Sequence, residues 1–257
     1  MNLLTLIIPP SYFLKTRLNN FQALVFHSWF EYLPNLAILY WVTGDVILSL
    51  TYFSLGYLAF ISLYEIGYAF NDLVSSKKEL EPRLRAKSIN HSSFTLIIFV
   101  LFRLVVFGLV TNHLGNSVNP TWWVFYAVLA ISFTFHNLIK NPAYKLMTFI
   151  SLAFCRFLAP IFGFLEIEII RIIIPAILLY YVIYRTLTYL ESKNLLQMKD
   201  RKSPKFKFSY FLLLLPLSYL MTTLQYNYMY VVVNLYFVAF TTIFWIKEAL
   251  STKAKSI

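Results

Sequence analysis

Asn71 and Asp72 stand side by side at the end of a hydrophobic run and lead directly into SSKKELEPRLRAK. An amide and a carboxylate, then further acids, then bases, is an order suited to a metal ion and a phosphorylated ligand. Mg2+ takes hard oxygen ligands and is usually held by one or two carboxylates together with phosphate oxygens and water. The Asn71 amide, Asp72, Glu79 and Glu81 offer such oxygens, and Arg83, Arg85 and Lys87 follow as charge-assisted donors to phosphate. Ser75 sits where another acid would complete the set. By composition alone the stretch reads more readily as a basic loop drawn to anionic lipid headgroups. The ordering of its residues favours the ligand site.

The residues before this pair extend it. Glu65, Tyr68 and Asp72 are spaced i, i+3, i+7, so they share one helical face. Charges within apolar segments are costly and face a partner or a cavity. Arg103, Arg156 and Arg185 are the candidate counter-charges. Glu65 and Arg103 read equally as a pair that locks a bundle or as groups facing a ligand. A second polar stretch, YRTLTYLESKNLLQMKDRKSPKFK, puts Arg185, Tyr189, Glu191 and Lys193 where they complete a cavity roof, ahead of a lipid-facing basic patch from Lys199 to Lys207.

The elements that position these groups are membrane spans. Of 257 residues, 59% are hydrophobic and 13% charged, more apolar surface than a soluble domain of this size can bury. Eight apolar stretches are predicted to span, at about 22–43, 46–70, 93–112, 120–139, 144–164, 168–190, 208–224 and 228–247. Glu31 and Pro34 interrupt the first, and Pro160, Pro175 and Pro216 are expected to kink theirs. The net charge of +11 concentrates in alternate loops, which predicts both termini in the cytoplasm and no nucleic-acid partner. The apolar LLTLIIPP start has no charged region before it, so no removable signal is expected. Trp122, Trp123 and Trp245 are expected as interfacial anchors. The single cysteine, Cys155, excludes a disulfide framework, and the four histidines lack metal-ligand spacing. The chain reads as one all-α integral membrane domain over 1–257.

With these residues in place, the chain resembles the UbiA superfamily of intramembrane prenyltransferases. GYAFNDLVSSKKELEPRLRAKS is similar to the family's first motif, NDxxDxxxD followed by bases. Asn71 and Asp72 match it, Ser75 replaces the middle acid and Glu79 stands for the last. FHNLIKNPAYKLMTFISLAFCRFLAPIFGF is similar to the junction of the family's fourth and fifth spans. Lys140 and the FCRFLAP around Arg156 come closest to the branch that moves phosphoribose onto decaprenyl phosphate. The resemblance covers about residues 15–210 and implies a helical bundle, typically of nine spans where eight are counted here. It implies Mg2+ held by Asn71, Asp72 and Glu79, with a polyprenyl phosphate or prenyl diphosphate bound by Tyr68, Arg83, Arg85, Lys87, Lys140 and Arg156. Asp72, Arg185 and Glu191 would take the catalytic roles, in a bacterial inner membrane. The alternative is a degenerate member that binds lipid or a partner without catalysis; a small transporter ranks below both, because broken helix pairs and a half-repeat are missing.

Overall fold

The structure, a computed structural model, describes residues 8–75, 93–198, 200–225 and 227–254. It is 86% helical with no strand among the described residues, and the protein is an all-α, polytopic membrane protein. Six helices there are long and apolar enough to cross a membrane. The chain divides into two compact units, Met1–Ile167 and Glu168–Ile257.

The first unit begins with a short helix, α1 (Ser11–Arg17). α2 (Phe21–His27) then runs through a π-helical turn (Ser28–Tyr32) into α3 (Leu33–Thr43). α4 (Val46–Phe70) also ends in a π-helical turn, Asn71–Ser75. α5 (Ser93–His113), α6 (Pro120–Leu138) and α7 (Pro142–Phe162) complete the unit. Local sequence sets the boundaries. Asn20, Asp45, Asn119 and Asn141 each cap a helix by accepting a backbone N–H, and the last two precede a proline whose missing N–H costs nothing at a first turn. Gly44 closes α3 in the left-handed region, at φ +67°.

α4 is the central helix, packed against α1, α3, α5, α6 and α7. Its contact with α7 depends on Gly56, where an added Cβ would lie 2.0 Å from the Pro160 carbonyl oxygen. Small residues allow such backbone approach in membrane helices, where packing rather than hydrophobicity drives association. Tyr64, Phe60, Phe107, Tyr126 and Phe133 fill the interior with tilted and edge-to-face ring pairs.

Trp122, expected at an interface, is fully buried there and donates to Thr111 Oγ1 at 3.2 Å. Trp123 and Trp245 do remain exposed. The first predicted span is not a continuous α-helix, because the π-helical turn carrying Glu31 interrupts it.

The second unit holds α8 (Ile167–Ala176), a π-helical segment (Ile177–Val182), α9 (Ile183–Ser192), α10 (Pro204–Leu213), α11 (Leu215–Gln225) and α12 (Met229–Ala254). Pro175 lies just before the π-helical segment and Pro216 at the α10–α11 break, whereas Pro160 stays inside an unbroken α7. Tyr180 ties the unit together by bonding Ser218 Oγ at 2.6 Å and the Tyr230 carbonyl at 3.1 Å.

Gly56→Ala is expected to destabilise the protein by about 2 kcal/mol or more, because a backbone oxygen cannot move aside as a side chain can. Unfolding in detergent measures it, with Gly108→Ala, where an added Cβ meets nothing within 4 Å, as the neutral control.

Candidate functional site

Glu65 and Tyr68 on α4 and Asp72 in the π-helical turn that follows it all meet α1. Asp72 is 2% exposed. Its Oδ2 accepts from the Tyr12 hydroxyl at 2.9 Å, and its Oδ1 pairs with Arg17 Nη2 at 2.8 Å. The Arg17 guanidinium also lies over the Tyr68 ring, 4.3 Å from its centroid. One turn deeper, Glu65 Oε1 accepts the Phe13 backbone N–H at 2.6 Å, while its other oxygen pairs with Arg103 at 2.5 Å. Both Glu65 and Arg103 are 0% exposed, and they pair with each other as one of the two readings of Glu65 has it.

A third buried arginine enters from α7. Arg156 Nη1 donates to the Tyr68 hydroxyl at 2.5 Å and Nε donates to Glu31 Oε2 at 2.9 Å. His27 Nδ1 lies 3.1 Å from Arg156 Nη2 and 3.0 Å from Glu31 Oε1. A single ring nitrogen serves one of these at a time, accepting from the arginine or donating to the carboxylate. The rings of Phe13 and Tyr64 flank the Arg156 guanidinium at 5.1 and 5.6 Å. Tyr68 is therefore the pivot: one guanidinium covers its ring and another bonds its hydroxyl.

Among the described residues each carboxylate of the network has an arginine partner. Glu31, Glu65 and Asp72 each face an arginine, from α7, α5 and α1 respectively. Burial and the adjacent Asp72 carboxylate push the Tyr12 phenol well above its usual pKa, so it stays a donor. Burial by itself would weaken the Arg17 charge, but the hydrogen bond it donates to Asp72 and the neighbouring negative charge outweigh burial and raise that pKa.

The π-helical turns explain two of the positions. Glu31 lies within Ser28–Tyr32, and Asn71, Asp72 and Ser75 lie within Asn71–Ser75. An inserted residue rotates the next side chains off the regular helical face, and such turns recur at functional sites. Ser75 Oγ donates to the Asn137 carbonyl rather than pointing toward Asp72's partners.

Of the residues expected at the site, Tyr68, Asp72 and Arg156 come together in the first unit. Asn71 is half-buried, with its amide 3.5 Å from Asp72 Oδ1. Lys140 is exposed in the link between α6 and α7. Arg185 and Glu191 belong to the second unit, where Glu191 pairs with Arg201. Glu79, Glu81, Arg83, Arg85 and Lys87 lie outside the described residues. Tyr12, Phe13, Arg17, His27 and Glu31 are additions to the expected set.

Among the described residues no group of three His, Cys, Asp or Glu side chains is placed to hold a metal. Both Asp72 oxygens are engaged, by Tyr12 and Arg17, and Glu79 lies outside the described residues. No family model, curated protein or solved structure matches the chain.

Removing one member of a buried ion pair leaves the other charge uncompensated, a loss of roughly 3–5 kcal/mol. Asp72→Ala and Arg17→Ala are each expected to destabilise by that order. The double variant should lose clearly less than the sum, and a thermodynamic cycle in detergent measures that coupling.

Proposed function

We propose that the chain is a UbiA-like intramembrane transferase acting on a polyprenyl phosphate or prenyl diphosphate, by prenyl or phosphoribosyl transfer. The observation that supports this reading is the pair of buried guanidinium groups, Arg17 and Arg156, gathered on Tyr68 beside Asp72. Two converging guanidiniums match the oxygen array of a phosphate or diphosphate, which each can bind in bidentate fashion. An incoming diphosphate competes with Asp72 for Arg17 and with Glu31 for Arg156. The internal pairs thus act as place-holders for the anion.

Departure of diphosphate from a prenyl carbon, or of pyrophosphate from an activated ribose, builds negative charge on the leaving oxygens. Arg17 and Arg156 would stabilise that charge as it grows, in surroundings where water is excluded and each donor counts for more. Tyr68 positions both. In the phosphoribosyl version the lipid phosphate is itself the nucleophile, so no strong base is needed. Mg2+ would neutralise further diphosphate charge when bound, with Asn71, Asp72 and Glu79 as the residues to hold it once Arg17 has left Asp72. The alternation of basic loops supports a cytoplasm-facing site with both termini cytoplasmic, in a bacterial inner membrane.

A second reading, a non-catalytic lipid- or partner-binding member, is favoured by one observation: both oxygens of Asp72 are held, by Arg17 and by Tyr12. One experiment separates them. Farnesyl diphosphate and inorganic pyrophosphate, each with Mg2+, are titrated against thermal unfolding in detergent, and pyrophosphate release is assayed in parallel with candidate acceptors. Stabilisation together with release is expected for the transferase, with release falling by about 100-fold in Arg17→Ala. Stabilisation without release assigns the second reading, and the absence of both rejects the phosphate site.

A further inference from the structure

The Glu31 carboxylate is divided between two bases. Its Oε2 accepts from Arg156 Nε at 2.9 Å, and its Oε1 lies 3.0 Å from His27 Nδ1, four residues earlier in the chain. The same His27 nitrogen lies 3.1 Å from Arg156 Nη2. While Arg156 donates to it, Nδ1 carries no proton. Once protonated, Nδ1 donates to Glu31 and can accept nothing from the guanidinium. The ring is held in place for either contact, since Phe13 from α1 and Phe26 meet it edge-on at 5.5 and 5.4 Å. His27, Glu31 and Arg156 are all buried.

The charged and titratable groups around the ring come from four elements. Glu31 and Tyr32 belong to the π-helical turn, Arg156 to α7, Tyr57 and Tyr68 to α4, and Arg17, over the Tyr68 ring, to α1. The Tyr32 and Tyr57 hydroxyls bond each other at 3.0 Å, and the Tyr68 hydroxyl accepts from Arg156. A phosphate that draws Arg156 away takes a cation from a buried carboxylate, which keeps its charge only with another beside it. Mg2+ held by Asn71, Asp72 and Glu79 would not answer Glu31. Neutral imidazole offers Glu31 a hydrogen bond without charge, whereas imidazolium supplies both.

We propose that His27 is a positioning residue that takes up a proton as the anion binds. Arg156 leaves Glu31 for the phosphate, a proton from solvent enters Nδ1, and the imidazolium holds Glu31 in place of the guanidinium. No covalent bond between heavy atoms changes, and the anion and the proton enter together. Because the bound state holds the extra proton, affinity increases as the pH falls. The inference rests on the anion site of the transferase reading and adds its regulation by pH.

The test is isothermal titration calorimetry of the purified protein in detergent with inorganic pyrophosphate and Mg2+. Two buffers of different ionisation enthalpy let the heats count protons. The unaltered protein should take up about one proton more than His27→Asn, whose amide places an N–H near Nδ1 but does not titrate. As the pH falls from about 8 to 6, the affinity of the unaltered protein relative to that variant should rise by up to about tenfold per unit. His27→Gln provides the same comparison should His27→Asn fail to fold. In the unaltered protein, spectra of isotope-labelled histidine should show one of the four imidazoles becoming imidazolium on binding. Binding with the same proton count in protein and variant overturns the proposal and leaves the transferase reading standing, as does an uptake that persists in the variant and so belongs to Glu31. Histidine spectra unchanged by bound pyrophosphate overturn it as well. Absence of any pyrophosphate binding removes the anion site and the proposal together.

Discussion

A carboxylate inside a hydrophobic bundle is tolerated only when a cation and further donors meet it, since each uncompensated buried ion costs several kcal/mol. α4 carries Glu65, the π-helical turn after it carries Asp72, and the π-helical turn after α2 adds Glu31. Each must find an arginine on a different element. Arg103 reaches Glu65 from α5, Arg156 reaches Glu31 from α7, and Arg17 reaches Asp72 from α1. That requirement fixes which helices can lie against the polar face of α4. It also explains why a seven-residue helix, too short to be stable by itself, is held in place with Tyr12 and Phe13 buried.

The same requirement shows which parts of the site were legible from the residues. The i, i+3, i+7 spacing of Glu65, Tyr68 and Asp72 grouped three residues that do meet one helix, α1, because helical periodicity is local. Arg103 and Arg156 stood out as charges inside apolar runs, where a partner is obligatory. The role of α1 was hidden: Tyr12, Phe13 and Arg17 look like an ordinary amphipathic lead-in until α4 is placed beside them. Glu31 read as a flaw in a span, whereas the π-helical turn makes it the partner of Arg156. Trp122 misled for a related reason. Its indole N–H is satisfied by Thr111 in the interior, so it has no need of the headgroup region that such residues usually seek. Six of the eight predicted spans coincide with helices long and apolar enough to cross a membrane, because hydrophobic length is local, whereas 22–43 and 120–139 are not among them. Pro216 divides the seventh into α10 and α11, while Pro160 leaves α7 continuous.

At the polar end of α4 both Asp72 oxygens are met by described residues, Arg17 and Tyr12. An Asn-Asp pair read from the chain as a metal and phosphate site is met in the fold by a guanidinium and a phenol. A paired cluster of this kind can serve an anion only by exchange. A phosphate that takes Arg17 and Arg156 must release Asp72 and Glu31, and the released carboxylates then need a cation or a proton. On the proposed function, ligand binding and the docking of α1 would be coupled through the Arg17–Asp72 salt bridge.

The exchange of Arg17 from Asp72 to a bound phosphate is the central claim. A cryo-electron microscopy structure of the protein with a thiolo-diphosphate analogue of a prenyl diphosphate, compared with the protein alone, tests it most directly. The account predicts the diphosphate between Arg17 and Arg156 over Tyr68, with the Arg17–Asp72 contact broken. A diphosphate bound elsewhere, with Arg17 still on Asp72 at its 2.8 Å separation, would contradict it.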